Sequence, residues 1–545
     1  MRRMCGWLCA PSLLPLTAIG APGARAAFVF AFAVLLAHAN DATAANCDAK
    51  PGLSRFYSDG WGIEQNNQRL QRDTTIDRAS VGRLKLAWAY GFANKKPRSW
   101  PLVSDDTIFI GDSGLGVAAL DRQTGCTRWV HKHDGEISSA ILHARIGDRD
   151  ALLYLDRTKG LYAIDATNGA PIWNTQAAEA VTPFYSGTPV VHDGVAYVPL
   201  SSFEVGLAIN PLYGCCTTRG GMAAFDVQTG KELWYLPTID APAQQTRKRW
   251  LFIGQYAPSG APVWGAPLLD AERGLVYFGT GENYSRPTTD TSDAIFAVDA
   301  KTGAKRWVHQ FTEGDAYNVA CDIPGWPNCP DPRGPDLDFG APPVMVQSAD
   351  GRTLLLVGQK SGDLYALDPD DGAVVWHQHI GRGGALGGAH WGLAANEQKG
   401  LLFVPISDIE TWSDKTIPAA TGMHAIDIAT GSSRWEHART NRCPDRACFG
   451  GLSSAIVATP ELVVAGSLDG YLEIYDADTG AVLWSEDSWK PFTTVNGVQA
   501  SGGAYDAHGP MVAGDQLIVS SGYDSFGQKP GNVLLVYQLA AETAP

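Results

Sequence analysis

The sequence predicts an all-β protein, an eight-bladed β-propeller of four-stranded antiparallel blades with Trp-docking repeats, on three observations. First, one phrase recurs seven times: a small or apolar pair, Asp, a turn ending in Gly, then Trp. The copies are Ala119-Leu120-Asp121…Gly125…Trp129, Ala163-Ile164-Asp165…Gly169…Trp173, Ala224-Phe225-Asp226…Gly230…Trp234, Ala297-Val298-Asp299…Gly303…Trp307, Ala366-Leu367-Asp368…Gly372…Trp376, Ala425-Ile426-Asp427…Gly431…Trp435 and Ile474-Tyr475-Asp476…Gly480…Trp484. Second, the Asp-to-Trp interval is always eight residues, whereas successive Trp residues lie 44 to 73 apart. A unit constant inside and elastic outside is a structural repeat with loop insertions. Third, Leu84-Lys85-Leu86-Ala87-Trp88 reads as an outer strand with no Asp–Gly turn before it, and Val533-Leu534-Leu535-Val536-Tyr537 as an inner strand with no Trp after it. Together these fragments complete an eighth blade and close a ring; an open solenoid would need capping repeats instead.

Each repeat supplies four short β-type runs. Around Asp368 they are Val344-Met345-Val346, Leu354-Leu355-Leu356-Val357, Leu364-Tyr365-Ala366-Leu367 and Val374-Val375-Trp376, separated by Gly, Asp, Ser and Lys as hairpins require. Asp368 to Gly372 is a turn in which Asp bonds local backbone and Gly supplies positive φ. A lone four-stranded sheet leaves both faces wet, so the units stack radially, and each Trp is expected to pack on the next blade's turn.

Residues 1–44 differ from the rest. Arg25 precedes an apolar run from Ala26 to Ala37, followed by Ala42-Thr43-Ala44. The run is too short to span a bilayer and fits a signal peptide, with the true start falling later than Met1. The expected organisation is a signal peptide (1–44), an N-terminal segment (45–80), the propeller (81–540) and a tail (541–545), in an exported, periplasmic protein without a membrane span. No Leu stands three positions before Cys47, which argues against a lipoprotein anchor. The net charge of −15 disfavours nucleic acid and anionic membranes and suits cations or a basic protein partner.

Apart from Cys5 and Cys9, eight cysteines remain, an even number that suggests disulfides in an exported chain. Cys321 with Cys329 and Cys443 with Cys448 are natural local pairs. The adjacent Cys215-Cys216 either pair elsewhere, stay free, or bond each other. Such a bond closes too small a loop to stabilise the chain by entropy, and is better explained as a flat surface for a planar ligand. No Cys-x-x-Cys-His occurs, so no covalent c-type haem is expected.

The repeats, the Cys pair and the export signal together resemble the quinoprotein, pyrroloquinoline quinone (PQQ)-dependent alcohol dehydrogenases over roughly residues 55–540. Gly214-Cys215-Cys216-Thr217-Thr218-Arg219-Gly220 and Asp336-Leu337-Asp338-Phe339-Gly340-Ala341-Pro342-Pro343 are most similar to the members that oxidise polyvinyl alcohol. The resemblance implies PQQ and Ca²⁺ in a central funnel, an alcohol substrate that is possibly a polymer, and an external cytochrome c as electron acceptor. Cys215–Cys216 and Trp264 would cover the two faces of the cofactor, although Trp264 also reads as a further docking Trp. Arg219 and Lys360 match positions that pair with cofactor oxygens, though Lys360 alone reads equally as a solvated turn residue. Ser186, Ser201 and Trp391 resemble further contacts, with Arg145 a lesser carboxylate partner.

For Ca²⁺, an oxygen-seeking ion, Glu204 resembles a ligand. After Gly279-Thr280-Gly281 the family carries Asn where this chain reads Glu282-Asn283, so either Glu282 or Asn283 would coordinate. Asp338 fits the catalytic base that also faces the ion. Asp336, on the same face of an extended segment, is the runner-up. The implied chemistry is removal of the hydroxyl proton by Asp while the cofactor, polarised by Ca²⁺, takes two electrons. Two rival readings are a dehydrogenase for small alcohols or sugars, and a non-catalytic periplasmic scaffold, which shares the Trp repeats but has no need of Cys215-Cys216, Glu204, Trp264 and Asp338 together.

Overall fold

A computed structural model describes residues 47, 49–93, 97–178, 183–249, 252–409, 416–442, 448–525 and 527–541. The expected signal segment and Cys443 lie outside them. Eight antiparallel sheets follow one another around a ring, at 102–132, 142–175, 183–237, 268–310, 344–379, 394–438, 457–487 and 511–539. The last is completed by Leu84–Gly91, which pairs antiparallel with Val533–Leu539 from Leu84↔Leu539 to Gly91↔Val533. The ring therefore closes with an outer strand from the beginning of the chain on three inner strands from its end. Blade three departs from the pattern: its inner edge is split between Pro183–Phe184 and Val190–His192, both on Val195–Ser202.

The repeated phrase has a physical role at every position. The Ala stands directly opposite the Trp across the outer strand pair, as in Ala119↔Trp129, Ala297↔Trp307 and Ala425↔Trp435, and a β-bulge follows at once. The Asp side chain accepts backbone N–H groups of its own turn, as Asp299 does from Lys301 and Thr302. The closing Gly has φ between +71° and +75° in all seven copies. A Cβ built there would lie 2.5–2.9 Å from the indole of the preceding blade, with Trp88 on Gly125, Trp234 on Gly303 and Trp435 on Gly480. Only glycine meets both demands. In six of the seven docks the indole N–H also donates to the carbonyl after the Asp, for example Trp234 to Ala300 at 3.0 Å and Trp376 to Ile428 at 2.9 Å.

Disulfides Cys215–Cys216 and Cys321–Cys329 form, Cys448 is disulfide-bonded, and Cys47–Cys126 ties the start of the described chain to the first blade's turn. Residues 59–76 cross the inner strands. Asn67 donates to the carbonyls of Pro267 and Pro343. The fully buried Arg69 donates to the carbonyls of Trp61, Ile456, His508 and Pro510, with its guanidinium 4.2 Å from the Trp61 ring centre.

Alternating strand direction sorts the loops. The Asp–Gly turns and the hairpins between first and second strands lie at one end of the ring. The turns between second and third strands, and the long links to the next blade, lie at the other.

Gly303→Ala and Gly274→Ala separate the two demands on glycine, because Gly274 has φ +65° but nothing within 4 Å of a Cβ. Gly274→Ala is expected to cost about 1 kcal/mol in chemical denaturation, and Gly303→Ala at least about 2 kcal/mol. Equal losses would show that the indole contact is not what excludes a side chain.

Candidate active site

The long links bring one set of positions to the funnel wall. Four residues before the innermost strand stand Arg98, Ser138, Ser186, Trp264, Gly340, His390 and Ser453 in blades one to seven. Trp264 lies over its neighbour Gly340, where a Cβ would come 1.7 Å from the indole. Blade five thus gives up its side chain at this position so that the indole of blade four can lie across it. The indole meets Trp391 edge-on at 4.9 Å and 74°, and His390 at 5.7 Å and 77°.

Trp264 is not a docking Trp: its Nε1 donates to Asp338 Oδ2 at 2.9 Å. Asp338 Oδ1 accepts from the backbone N–H of Glu282 at 3.1 Å, and Lys360 Nζ lies 3.4 Å from Oδ2. Lys360 Nζ also donates to Asp336 Oδ1 at 2.7 Å. One carboxylate oxygen from each of Glu282, Asp336 and Asp338 falls within 4.8 Å of the others, and all three residues are buried. Asp315 fixes the loop by accepting from the N–H groups of Asp336 and Leu337.

Charge differentiates the cluster. Burial alone would lift Asp338, yet the Lys360 charge and the donors from Glu282 and Trp264 hold its carboxyl below the ordinary range. Burial lifts Asp336 to about 7, with Lys360 offsetting only part of the effect. Glu282 is pushed well up by burial and by the Asp338 and Asp336 charges. The Lys360 ammonium is held above its usual range, since the three acids outweigh its burial.

The other expected residues divide. Cys215 and Cys216 pack with Tyr284, two residues beyond Glu282, and Ser201 hydrogen-bonds Tyr284. Arg219 Nη1 donates to the carbonyls of Ile239 and Asp240. Ser186 adjoins Gly187, whose Cβ position abuts the carbonyls of Trp264 and Gly265.

Three of the expected residues stand away from the acid cluster. Glu204 does not join the acid cluster: its oxygens accept from Tyr213, Thr217 and Thr218, which pins the loop bearing the Cys pair. Asn283 turns its amide to Ser259 and Thr289, so Glu282 is the one of the two that faces the acids. Arg145 sits at the opposite end of the ring, paired with Asp150 at 3.0 Å in a cavity of about 740 Å³ shared with Asp59 and His143. Its strand leads into a first-to-second-strand hairpin, which cannot reach the funnel.

Several groups escaped the sequence because they stand out only in space. The buried Arg98 and the half-buried Arg157 share Glu136. Asp293 is wholly buried with both oxygens unpartnered, and its carboxyl is pushed well up by burial and by Asp315.

An all-β ring whose one end gathers a stacking indole, a bonded Cys pair, a lysine and three buried acids has the makings of a cofactor-dependent redox enzyme. Residues 59–380 match the family model described as "Glucose/ethanol/alcohol dehydrogenase, beta-propeller domain", and residues 291–540 match the model for outer membrane protein assembly factor BamB. The chain is 36% identical to a polyvinylalcohol dehydrogenase of Sphingopyxis sp. (strain 113P3) and 34% identical to one of Pseudomonas sp.; each match covers 88% of this chain and 76% of the relative. In fold it is similar to the quinohemoprotein alcohol dehydrogenase of Comamonas testosteroni, with a TM-score of 0.61 and 18% identity over 90% of this chain and 82% of that one. The chain belongs to the PQQ-dependent alcohol dehydrogenase family, and it is an enzyme of that class. Among the described residues no helix is long and apolar enough to cross a membrane.

The acid cluster makes stability pH-dependent. Unfolded, Asp336 and Glu282 titrate near pH 4, whereas folded Asp336 keeps its proton to about 7 and Glu282 is also raised. The folded state binds more protons, so stability falls as pH rises through 7. His390 and His508, lowered by burial to about 3 and about 4, oppose this only below about pH 6.5. The melting midpoint of cation-free protein is expected to drop between pH 6.5 and 8, and Ca²⁺ to raise it most at pH 8. A midpoint indifferent to both would rule out the cluster as a cation site.

Proposed function

We propose that this chain oxidises the secondary alcohol groups of polyvinyl alcohol to ketones in the periplasm, using PQQ and Ca²⁺ and passing electrons to an external cytochrome c. The observation that carries the reading is the hydrogen-bonded set Trp264–Asp338–Glu282–Lys360–Asp336. Identities of 36% and 34% to polyvinylalcohol dehydrogenases support the substrate. The site fits both implied groups. Three buried carboxyls within 4.8 Å form the oxygen-only donor set a hard cation takes. The indole laid across Gly340 is a platform that a single methyl would block. When bound, PQQ supplies the two-electron oxidant and Ca²⁺ its Lewis-acid partner.

The chain's own residues do the rest. Asp338, held as the anion by Lys360, Trp264 and the Glu282 N–H, takes the alcohol's hydroxyl proton. Glu282 and Asp336, with Asp338, hold the cation. Trp264 and the Cys215–Cys216 ring face the cofactor plane, while Lys360 and Arg219 neutralise its oxygens. Trp391, Ser186 and Ser201 complete the wall. Glu204 acts at one remove by fixing the Cys loop. Burial of Glu282, Asp336, Asp338 and Lys360 keeps bulk water from the acids. A small-alcohol dehydrogenase uses the same site, and chain-length preference distinguishes it.

A dye-linked assay of the PQQ- and Ca²⁺-loaded protein is expected to give a higher kcat/KM for polyvinyl alcohol than for 2-propanol, ethanol or glucose. Preference for a small alcohol would replace the polymer reading, and absence of cofactor binding would reject the enzyme reading altogether. Asp338→Asn is expected to lower kcat by about 100-fold or more while PQQ still binds, and Asp336→Asn to retain turnover at saturating Ca²⁺ with a weakened cation affinity. The reverse pattern would move the base to Asp336.

A further inference from the structure

Beside the acid cluster, a second hydrogen-bonded chain runs around the funnel wall. His390, Ser453 and Asp506 come from the links that precede the innermost strands of blades six, seven and eight. His390 Nδ1 lies 2.7 Å from Ser453 Oγ, and Ser453 Oγ donates to Asp506 Oδ1 at 2.7 Å. Asp506 Oδ1 also accepts from the N–H of Ala507, and Oδ2 accepts from Gln528 at 3.0 Å. All three residues are buried, at 4%, 2% and 8% exposure from His390 to Asp506.

The order of the chain sets its direction. A serine hydroxyl has one proton, and here it goes to Asp506. Ser453 must therefore accept from His390 Nδ1–H, which leaves Nε2 as the bare nitrogen; burial lowers the imidazole to about 3, so Nε2 takes a proton only as Nδ1–H is given up. The imidazole packs against Trp264, whose other edge donates to Asp338, and it feels the charges of Lys360 and Asp338. Serine stands between histidine and carboxylate, so this is no nucleophile triad, in which histidine takes the middle place.

Oxidation of a secondary alcohol to a ketone releases two electrons and two protons. The electrons leave one at a time for the external acceptor, and the protons must leave a site whose acids and Lys360 are buried. Building on the alcohol-oxidation reading above, we infer that His390, Ser453 and Asp506 form the proton exit from the reaction site to solvent. For each proton, His390 Nε2 accepts as Nδ1–H passes to Ser453 Oγ and the Ser453 hydroxyl proton passes to Asp506 Oδ1; Asp506 releases it to water, and the imidazole returns to its Nδ1–H tautomer before the second proton enters. The groups facing Asp506 are Ser453, Gln528, Trp391, Arg98 and Tyr523, and Arg98 pairs at 2.9 Å with Glu136, whose side chain is 31% exposed. Burial lifts the Asp506 carboxyl to about 6, low enough to shed a proton at neutral pH.

The test uses Ser453→Ala, Ser453→Thr and Asp506→Asn in the PQQ- and Ca²⁺-loaded protein, together with ¹⁵N-histidine spectra of the cofactor-free chain. Ser453→Ala and Asp506→Asn are expected to lower kcat about 10-fold or more with KM and PQQ affinity unchanged. They should also enlarge the solvent deuterium isotope effect and respond to added imidazole, and Ser453→Thr should restore the wild-type values. The cofactor-free wild type should show His390 as the Nδ1–H tautomer, and Ser453→Ala should lose that preference. Unchanged kcat and isotope effect, a rate loss matched by a loss of melting midpoint or PQQ affinity, or an Nε2–H tautomer in the wild type would each overturn the relay. A wild-type protein that turns over no alcohol would instead overturn the proposed function.

Discussion

Everything in this molecule rests on one contact, an indole laid on a glycine. Seven of the outer-strand Trp residues cover the Gly that closes the next blade's turn, at a distance that leaves no room for a Cβ. The contact is apolar on its face and polar at its edge, because the indole N–H reaches a backbone carbonyl of the same turn in six of the seven docks. Its geometry is local to two adjacent blades, so it fixes the angle between them without reference to what the far end of either carries. Repeated around the ring and closed by Leu84–Gly91 on Val533–Leu539, it gives a rigid frame. The opposite end is then free to vary in length and chemistry.

That freedom is visible in the site. Glu282 comes from a second-to-third-strand turn, Lys360 from the equivalent turn of the next blade, and Trp264, Asp336 and Asp338 from the links between blades. The site residues themselves stand outside the strands, on segments that each start and end on a strand whose position is already set. The funnel wall uses the same glycine logic as the docks. At Gly340 the frame withholds a side chain so that Trp264 can lie across the gap, just as Gly303 withholds one for Trp234. One rule serves stability at one end of the ring and the site at the other.

The ring was legible in the sequence because its signal is periodic: the Asp–Gly–Trp phrase reports a contact made seven times over. Much of the acid cluster was legible for a different reason: Trp264, Glu282 and Asp338 stand in segments that resemble the family's, and Asp336 lies two residues from Asp338. What stayed hidden depends on side-chain direction and on distance through space. Glu204 and Asn283 carry suitable oxygens, but nothing in their neighbours' identities says that Thr217 and Thr289 consume them. Arg145 precedes a hairpin rather than a blade-to-blade link, and only the strand alternation tells which end that is. Arg98, His390 and Asp506 are single residues in unrelated stretches, and become a group only when equivalent positions of different blades are superposed. Cys47 and Cys126 are 79 residues apart, so no local spacing joined them.

Asp336 and Asp338 show how far the same residue type can be driven apart by its partners. Both are buried, both meet Lys360, and they share one short segment. Asp336 takes the closer contact with the ammonium, at 2.7 Å against 3.4 Å, so proximity to positive charge alone would make it the stronger acid. The order is reversed because Asp338 receives two further N–H donors, from the Trp264 indole and the Glu282 backbone. Neutral donors favour the anion wherever water cannot. Asp338 is thus the carboxylate kept ionised, as the proposed base must be, and one of the donors that keep it so is the indole that Gly340 makes room for. The wall and the base are a single device.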